Sequence, residues 1–185
     1  MIRIGERHDG EGRLVRGVRH IRGAGTEPGI LAIDSADPSG NLYYVQMKFR
    51  DYAFTSAQVK LLHGTPQIIV PAPGAGYFLQ FVCAHLMLDY STNAFTETAD
   101  NMQIVYGVSA AVVASQTIEG TGFIDQTADT YTTALPKIDV IATKAQLDNI
   151  ALYLYNANDE YAGNASGLSV LRIRTFYLIH QILAA

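Results

Sequence analysis

"VPAPGAGYFLQFVCAHLMLDY", residues 70 to 90, decides the fold. Its head, Pro71-Ala-Pro-Gly-Ala-Gly76, leads into a run that is apolar at nearly every position. A phosphate-cradling loop would need several converging backbone N–H groups, normally with a Lys and a hydroxyl at its end. Here Tyr77 follows the glycines, and Pro71 and Pro73 each remove a donor. The segment therefore reads as a turn, with Pro73 setting φ and Gly74 taking positive φ, before a long strand. That strand does not alternate cleanly. Tyr77, Leu79, Phe81, Cys83, His85 and Met87 stand against Phe78, Gln80, Val82, Ala84, Leu86 and Leu88. An antiparallel strand with one wet face should alternate, so a loop, the chain's own arm or another subunit is expected over the second face.

Outward from this strand, β-like runs separated by turn residues continue in both directions. They are 29–33, 42–49, 67–70, 102–108, 110–114, 122–124, 130–135, 138–143, 149–156 and 168–183. One short helical turn is expected from Ser56 to Leu62, ended by Gly64 and Pro66. In the last run Leu171, Ile173, Thr175, Tyr177 and Ile179 share one face, with Arg172, Arg174 and His180 on the other. "TKAQLDN" also has helical character, but Tyr153 and Tyr155 alternate as in a strand. Many short strands without a helix-length amphipathic repeat predict an all-β antiparallel sandwich or barrel.

Charge divides the chain in two. Arg3, Arg7, Arg13, Arg16, Arg19 and Arg22 outnumber Glu6, Asp9 and Glu11 in residues 1 to 25, a formal +3. The remainder carries seven basic and fourteen acidic residues, so the whole is −4. Glycines intersperse the basic segment, which can bury little of itself and should order only against a partner. We divide the chain into an extended arm, 1–28, and a β domain, 29–185. The arginines are the candidate partner-binding residues, since guanidinium groups pair with carboxylates and phosphates. Net negative charge and an absence of basic-aromatic strands argue against nucleic acid as the main partner.

Only 16% of residues are charged, against a usual share of about 25%. Some apolar surface is therefore expected to lie against partner chains. No run of about 18 apolar residues suggests a membrane span, and the N-terminus lacks a signal-like apolar core. The single cysteine, Cys83, excludes intrachain disulfides. His8, His20, His63, His85 and His180 show no metal-ligand spacing, and no nucleophile elbow is present. Neither an enzyme active site nor a cofactor is expected. Tyr77, Leu79, Phe81, Tyr153 and Tyr155 are the candidate subunit-interface residues, because large apolar and aromatic side chains dominate such contacts.

"LLHGTPQIIVPAPGAGYFLQFVCAHLMLDY" and the closing "DNIALYLYNANDEYAGNASGLSVLRIRTFYLI" resemble small virion structural proteins of tailed bacteriophages. In that family a Thr-Pro strand leads to Pro-Ala-Pro-Gly-Ala-Gly and a long apolar strand, and an Asn-rich turn precedes the last strand. The resemblance spans about residues 56 to 182, and its motifs are structural. It implies a jelly-roll-like body, often trimeric, in capsid cement or decoration proteins or fibre-like appendages, with the major capsid protein as partner and the virion as location. The family's Lys after the second Gly is Tyr77 here, so no role of that Lys carries over.

Overall fold

The computed structural model describes residues 32–33, 44–45, 47–98, 101–110 and 112–182. Six arginines proposed for the arm, and the arm's boundary, lie outside them. A small antiparallel pair comes first, β1 (Ala32–Ile33) with β2 (Tyr44–Val45). The strands β3 (Lys48–Thr55), β4 (Gln67–Val70) and β5 (Tyr77–Asp89) follow, with helix α1 (Ser56–Lys60) between the first two. Next come β6 (Phe95–Thr96), β7 (Met102–Tyr106), β8 (Val112–Val113) and β9 (Thr130–Ala134). Helix α2 (Lys144–Leu147), β10 (Leu152–Asn156), β11 (Ala162–Gly163) and β12 (Val170–Gln181) complete the chain.

Two four-stranded antiparallel sheets form the body, in the orders β3-β12-β5-β9 and β4-β10-β7-β8. Counting only these eight strands along the chain, the orders are 1-8-3-6 and 2-7-4-5. Each sheet interleaves early and late strands, which is the connectivity of a jelly roll. The inner faces meet in one apolar core that includes Leu79, Leu86 and Leu171 from the first sheet and Ile69, Ile104 and Leu154 from the second.

The imperfect alternation of β5 has a local cause. Phe176 pairs with Cys83 but its successor Tyr177 pairs with Phe81, so Val82 is an extra residue in the ladder. This bulge flips the strand's phase. Leu79 and Phe81 face inward before it, and Ala84, Leu86 and Leu88 face inward after it. A second apolar face was expected to need a cover from a loop, the arm or another subunit. Much of it instead consists of core residues that change parity at Val82.

Other boundaries moved as well. The strand expected at 42–49 is broken, and β3 runs on to Thr55. Thr55 caps α1, its hydroxyl accepting from the Gln58 N–H while Gln58 Oε1 accepts from the Thr55 N–H. The runs 122–124 and 138–143 are not strands. Phe123 and Ile124 lie in a turn whose N–H groups both reach the Gly120 carbonyl, and 138–142 is an exposed loop. "TKAQLDNIALYLYN" divides into α2 and β10, so both of its periodicities are real.

Candidate assembly surfaces

The turn at 71–76 is closed to ligands by the chain itself. Gly74 donates its N–H to Asn149 Oδ1 at 2.9 Å and Gly76 donates to Asp148 Oδ1 at 2.8 Å. Gly74 has the positive φ expected of it, +106°. A carboxylate already occupies the place where a phosphate oxygen would sit, so the segment acts as a corner.

The candidate interface residues separate into two groups. Leu79 and Phe81 are core residues of their own chain, turned inward by the register before the bulge, and this corrects their assignment to a subunit contact. Tyr77 is exposed, and Tyr153 and Tyr155 are half-buried, with Tyr155 stacked on His63 at 5.6 Å.

The outer face of the β3-β12-β5-β9 sheet carries the most organised polar cluster. Arg174 and Asp51 are cross-strand partners and form a bidentate pair, Nε to Oδ1 and Nη2 to Oδ2, both at 2.7 Å. The Arg174 guanidinium also lies 4.9 Å from the Phe49 ring centroid. Its hydrogen bonds, aided by its charge, hold the Asp51 carboxyl below its ordinary range against the opposing effect of burial. Arg172 pairs through Nε with Asp89. Beside them Tyr131 Oη lies 2.6 Å from His85 Nδ1, and His85 meets Phe176 edge-on at 5.5 Å. Together Asp51, Ala53, His85, Met87, Tyr131 and Arg172 line a shallow depression of about 650 Å³. Small Ala53, opposite Arg172, leaves this space open.

The antiparallel connections gather at two unlike ends. One end holds segments 56–66, 90–98, 114–129 and 157–169, where Glu97, Glu119, Asp125, Asp129, Asp159 and Glu160 face only Lys60 among the described residues. The sequence suggests solvated charge for such loop acids, but most are staples. Asp129 accepts from the Tyr90 N–H, Asp125 from the Gly122 N–H, Glu160 from the N–H groups of His63 and Gly64, and Glu97 from the Thr121 hydroxyl. Among the described residues no group of three or more His, Cys, Asp or Glu could hold a metal ion, and no helix is long and apolar enough to cross a membrane.

The other end holds 71–76, 107–110 and 135–151 and exposes large apolar side chains among polar ones such as Lys137, Asp139 and Lys144. Ile138 and Ile141 are each 93% exposed, and Leu135 and Val140 beside them are also open to solvent. Sequence reading placed these isoleucines in a strand, so their exposure was not foreseen. The sequon Asn164-Ala-Ser166 is sealed: Asn164 is 1% exposed and its Nδ2 donates to the Asn93 carbonyl and to Ser169 Oγ.

No family model matches the chain, and no curated protein matches it. Among solved structures, a chain from a marine algae virus of the order Picornavirales is similar at 10% identity and a TM-score of 0.29, covering 100% of this chain and 92% of that one. A chain from black queen cell virus is similar at 8% identity and a TM-score of 0.29, covering 98% and 93%. Likeness at that level carries no argument. The class of the protein, an all-β jelly-roll sandwich, rests on its own strand connectivity.

Proposed function

We propose that this chain is a non-enzymatic structural protein of a virion, a capsid cement or decoration protein that assembles as a homotrimer. The 1-8-3-6 and 2-7-4-5 connectivity carries the reading, because eight-stranded jelly rolls of this order build viral capsid domains as well as lectins and cupins. Fold alone does not assign function, so the choice among these rests on the surfaces. Loop carboxylates are consumed in holding loops together, and the opposite end presents apolar side chains, which suits a building block better than a catalyst.

In this reading the arm, residues 1–28, reaches across neighbouring major capsid protein subunits through Arg3, Arg7, Arg13, Arg16, Arg19 and Arg22. Three arms on one trimer would bind far more tightly than one. The test is mass spectrometry of purified particles whose genome carries this sequence, followed by re-addition of the protein to depleted particles. Stoichiometric occupancy, lost on deleting 1–28, is the expected result. Absence from the particles would end the proposal.

A second reading, a receptor- or glycan-binding fibre protein, is favoured by the depression on the outer sheet face. There the Tyr131 ring stands beside Arg172 and His85, a pairing of aromatic surface and polar groups suited to a sugar. A glycan array with no binder, together with stoichiometric occupancy on capsids, would exclude it.

A further inference from the structure

We infer that the loop Leu135–Ile141 is a self-association surface whose occupant is the same loop of a second copy of this chain. The inference deepens the assembly reading above and rests on it. Ile138 and Ile141, each 93% exposed, have almost no contact with their own fold and stand well above the next most exposed large apolar residues, Leu168 at 66% and Val108 at 64%. The loop is also held firmly. On one side Gln116 donates to the Leu135 carbonyl and Lys137 to the Ala114 carbonyl, both at 2.9 Å, clasping the loop to the segment after β8. On the other side Ala142 packs against the core, and just after α2 Asn149 donates its N–H to the Tyr77 carbonyl at 2.9 Å. A surface tethered at both ends loses little freedom on binding.

The charge pattern selects the occupant. Lys137 and Asp139 flank Ile138, both exposed and neither in an ion pair among the described residues. In a symmetric or cyclic contact the isoleucines of two copies meet while Lys137 of each faces Asp139 of another, so the patch complements itself. An exposed carboxylate between two isoleucines also opposes insertion into lipid. A stable contact needs about 800 Å² per partner, so the loop is the anchor at the centre of a larger interface.

Light scattering on the full chain tests this directly. The wild type should run at a multiple of 20.1 kDa, and I138S/I141S should raise the dissociation constant at least about tenfold while keeping its thermal transition, because both side chains are exposed. Lys137→Glu and Asp139→Lys should each weaken assembly roughly two- to fivefold, and the double charge swap should restore it. Restoration is specific to self-pairing, since a foreign partner would not gain from it. A wild type that is monomeric at all concentrations overturns the inference. So does an oligomer unchanged in I138S/I141S, or one not rescued by the swap. The particle experiment above is independent of these outcomes, so a failed loop and a failed virion reading can be told apart.

Discussion

Tyr106 donates its phenolic hydrogen to the Leu79 carbonyl at 2.7 Å, and this bond joins the two sheets of the sandwich through the core. Tyr106 ends β7, and Leu79 lies on β5 just before the bulge that reverses the strand's parity. Both residues are buried. The hydroxyl therefore ties the strand to the opposite sheet close to where its register is irregular. Tyr106→Phe should lower stability by about 1 kcal/mol, read as a shifted urea midpoint at unchanged slope.

The same phenol gives an alkaline signature. Burial raises its pKa above the ordinary 10.0, partly offset by a backbone hydrogen bond at Phe81. The folded chain then holds this proton more tightly than the unfolded one, so the contribution is complete below the unfolded pKa and is lost as pH rises through the folded one. Denaturant midpoints measured between neutral and strongly alkaline pH should fall less steeply for Tyr106→Phe than for the wild type. Parallel curves would mean that Tyr106 is not the group responsible.

At the outer sheet face the sign is opposite. Asp51 is held below its ordinary pKa, chiefly by the hydrogen bonds from Arg174. A depressed carboxylate contributes above its unfolded pKa, and the contribution is lost as pH falls through the folded value. The pair is about half exposed, so salt should weaken it. An NMR titration of the Asp51 carboxyl should show a low midpoint that returns toward the ordinary range in Arg174→Ala or in molar salt. A midpoint that Arg174→Ala leaves in place would assign the shift to another cause.

Gly163 is the position where a single methyl should do the most damage. Its φ is +71°, and a Cβ there would sit 2.7 Å from the Thr96 nitrogen and 2.8 Å from the Ala94 carbonyl oxygen. The pairing of β6 with β11 brings these backbones together and links the 90–98 and 157–169 loops. Neither obstacle is a flexible side-chain tip, so the backbone must move. Gly163→Ala should cost on the order of 2 kcal/mol and lower Tm by several degrees, whereas a fall below about 0.5 kcal/mol would mean the loops are loosely joined.

What was legible in the sequence followed from periodicity. β12 alternates without interruption, and its inner set from Leu171 to Ile179 faces the core as its pattern requires. The turn at Gly74 was legible because two prolines and two glycines permit little else. β5 was only half legible: one inserted residue moves every later side chain to the other face, and composition contains no trace of where a ladder slips. That is why Leu79 and Phe81, apolar and at sites of the expected parity, were mistaken for interface residues. The loop at 138–141 failed for a related reason. "IDVI" has β propensity, but among the described residues no strand completes a ladder with it, and the register needed to see this exists only in the folded chain.

Cys83 provides a check on which surface an assembled particle covers. It sits on the outward side of β5, immediately after the bulge, opposite Phe176. The thiol is half-buried, and burial raises its pKa above 9.0. Thiolate is the reactive form, so alkylation should be slow near neutral pH and should still be accelerating as pH rises past the ordinary thiol range. If copies meet through the 135–141 loop, dissociating them with I138S/I141S should leave the Cys83 rate constant within about twofold, because the thiol lies on the outer sheet face and not in that loop. A rate that climbs tenfold or more on dissociation would show that the interface around the loop extends over the outer face of the β3-β12-β5-β9 sheet, where Cys83 and the depression lined by Tyr131 and Arg172 lie.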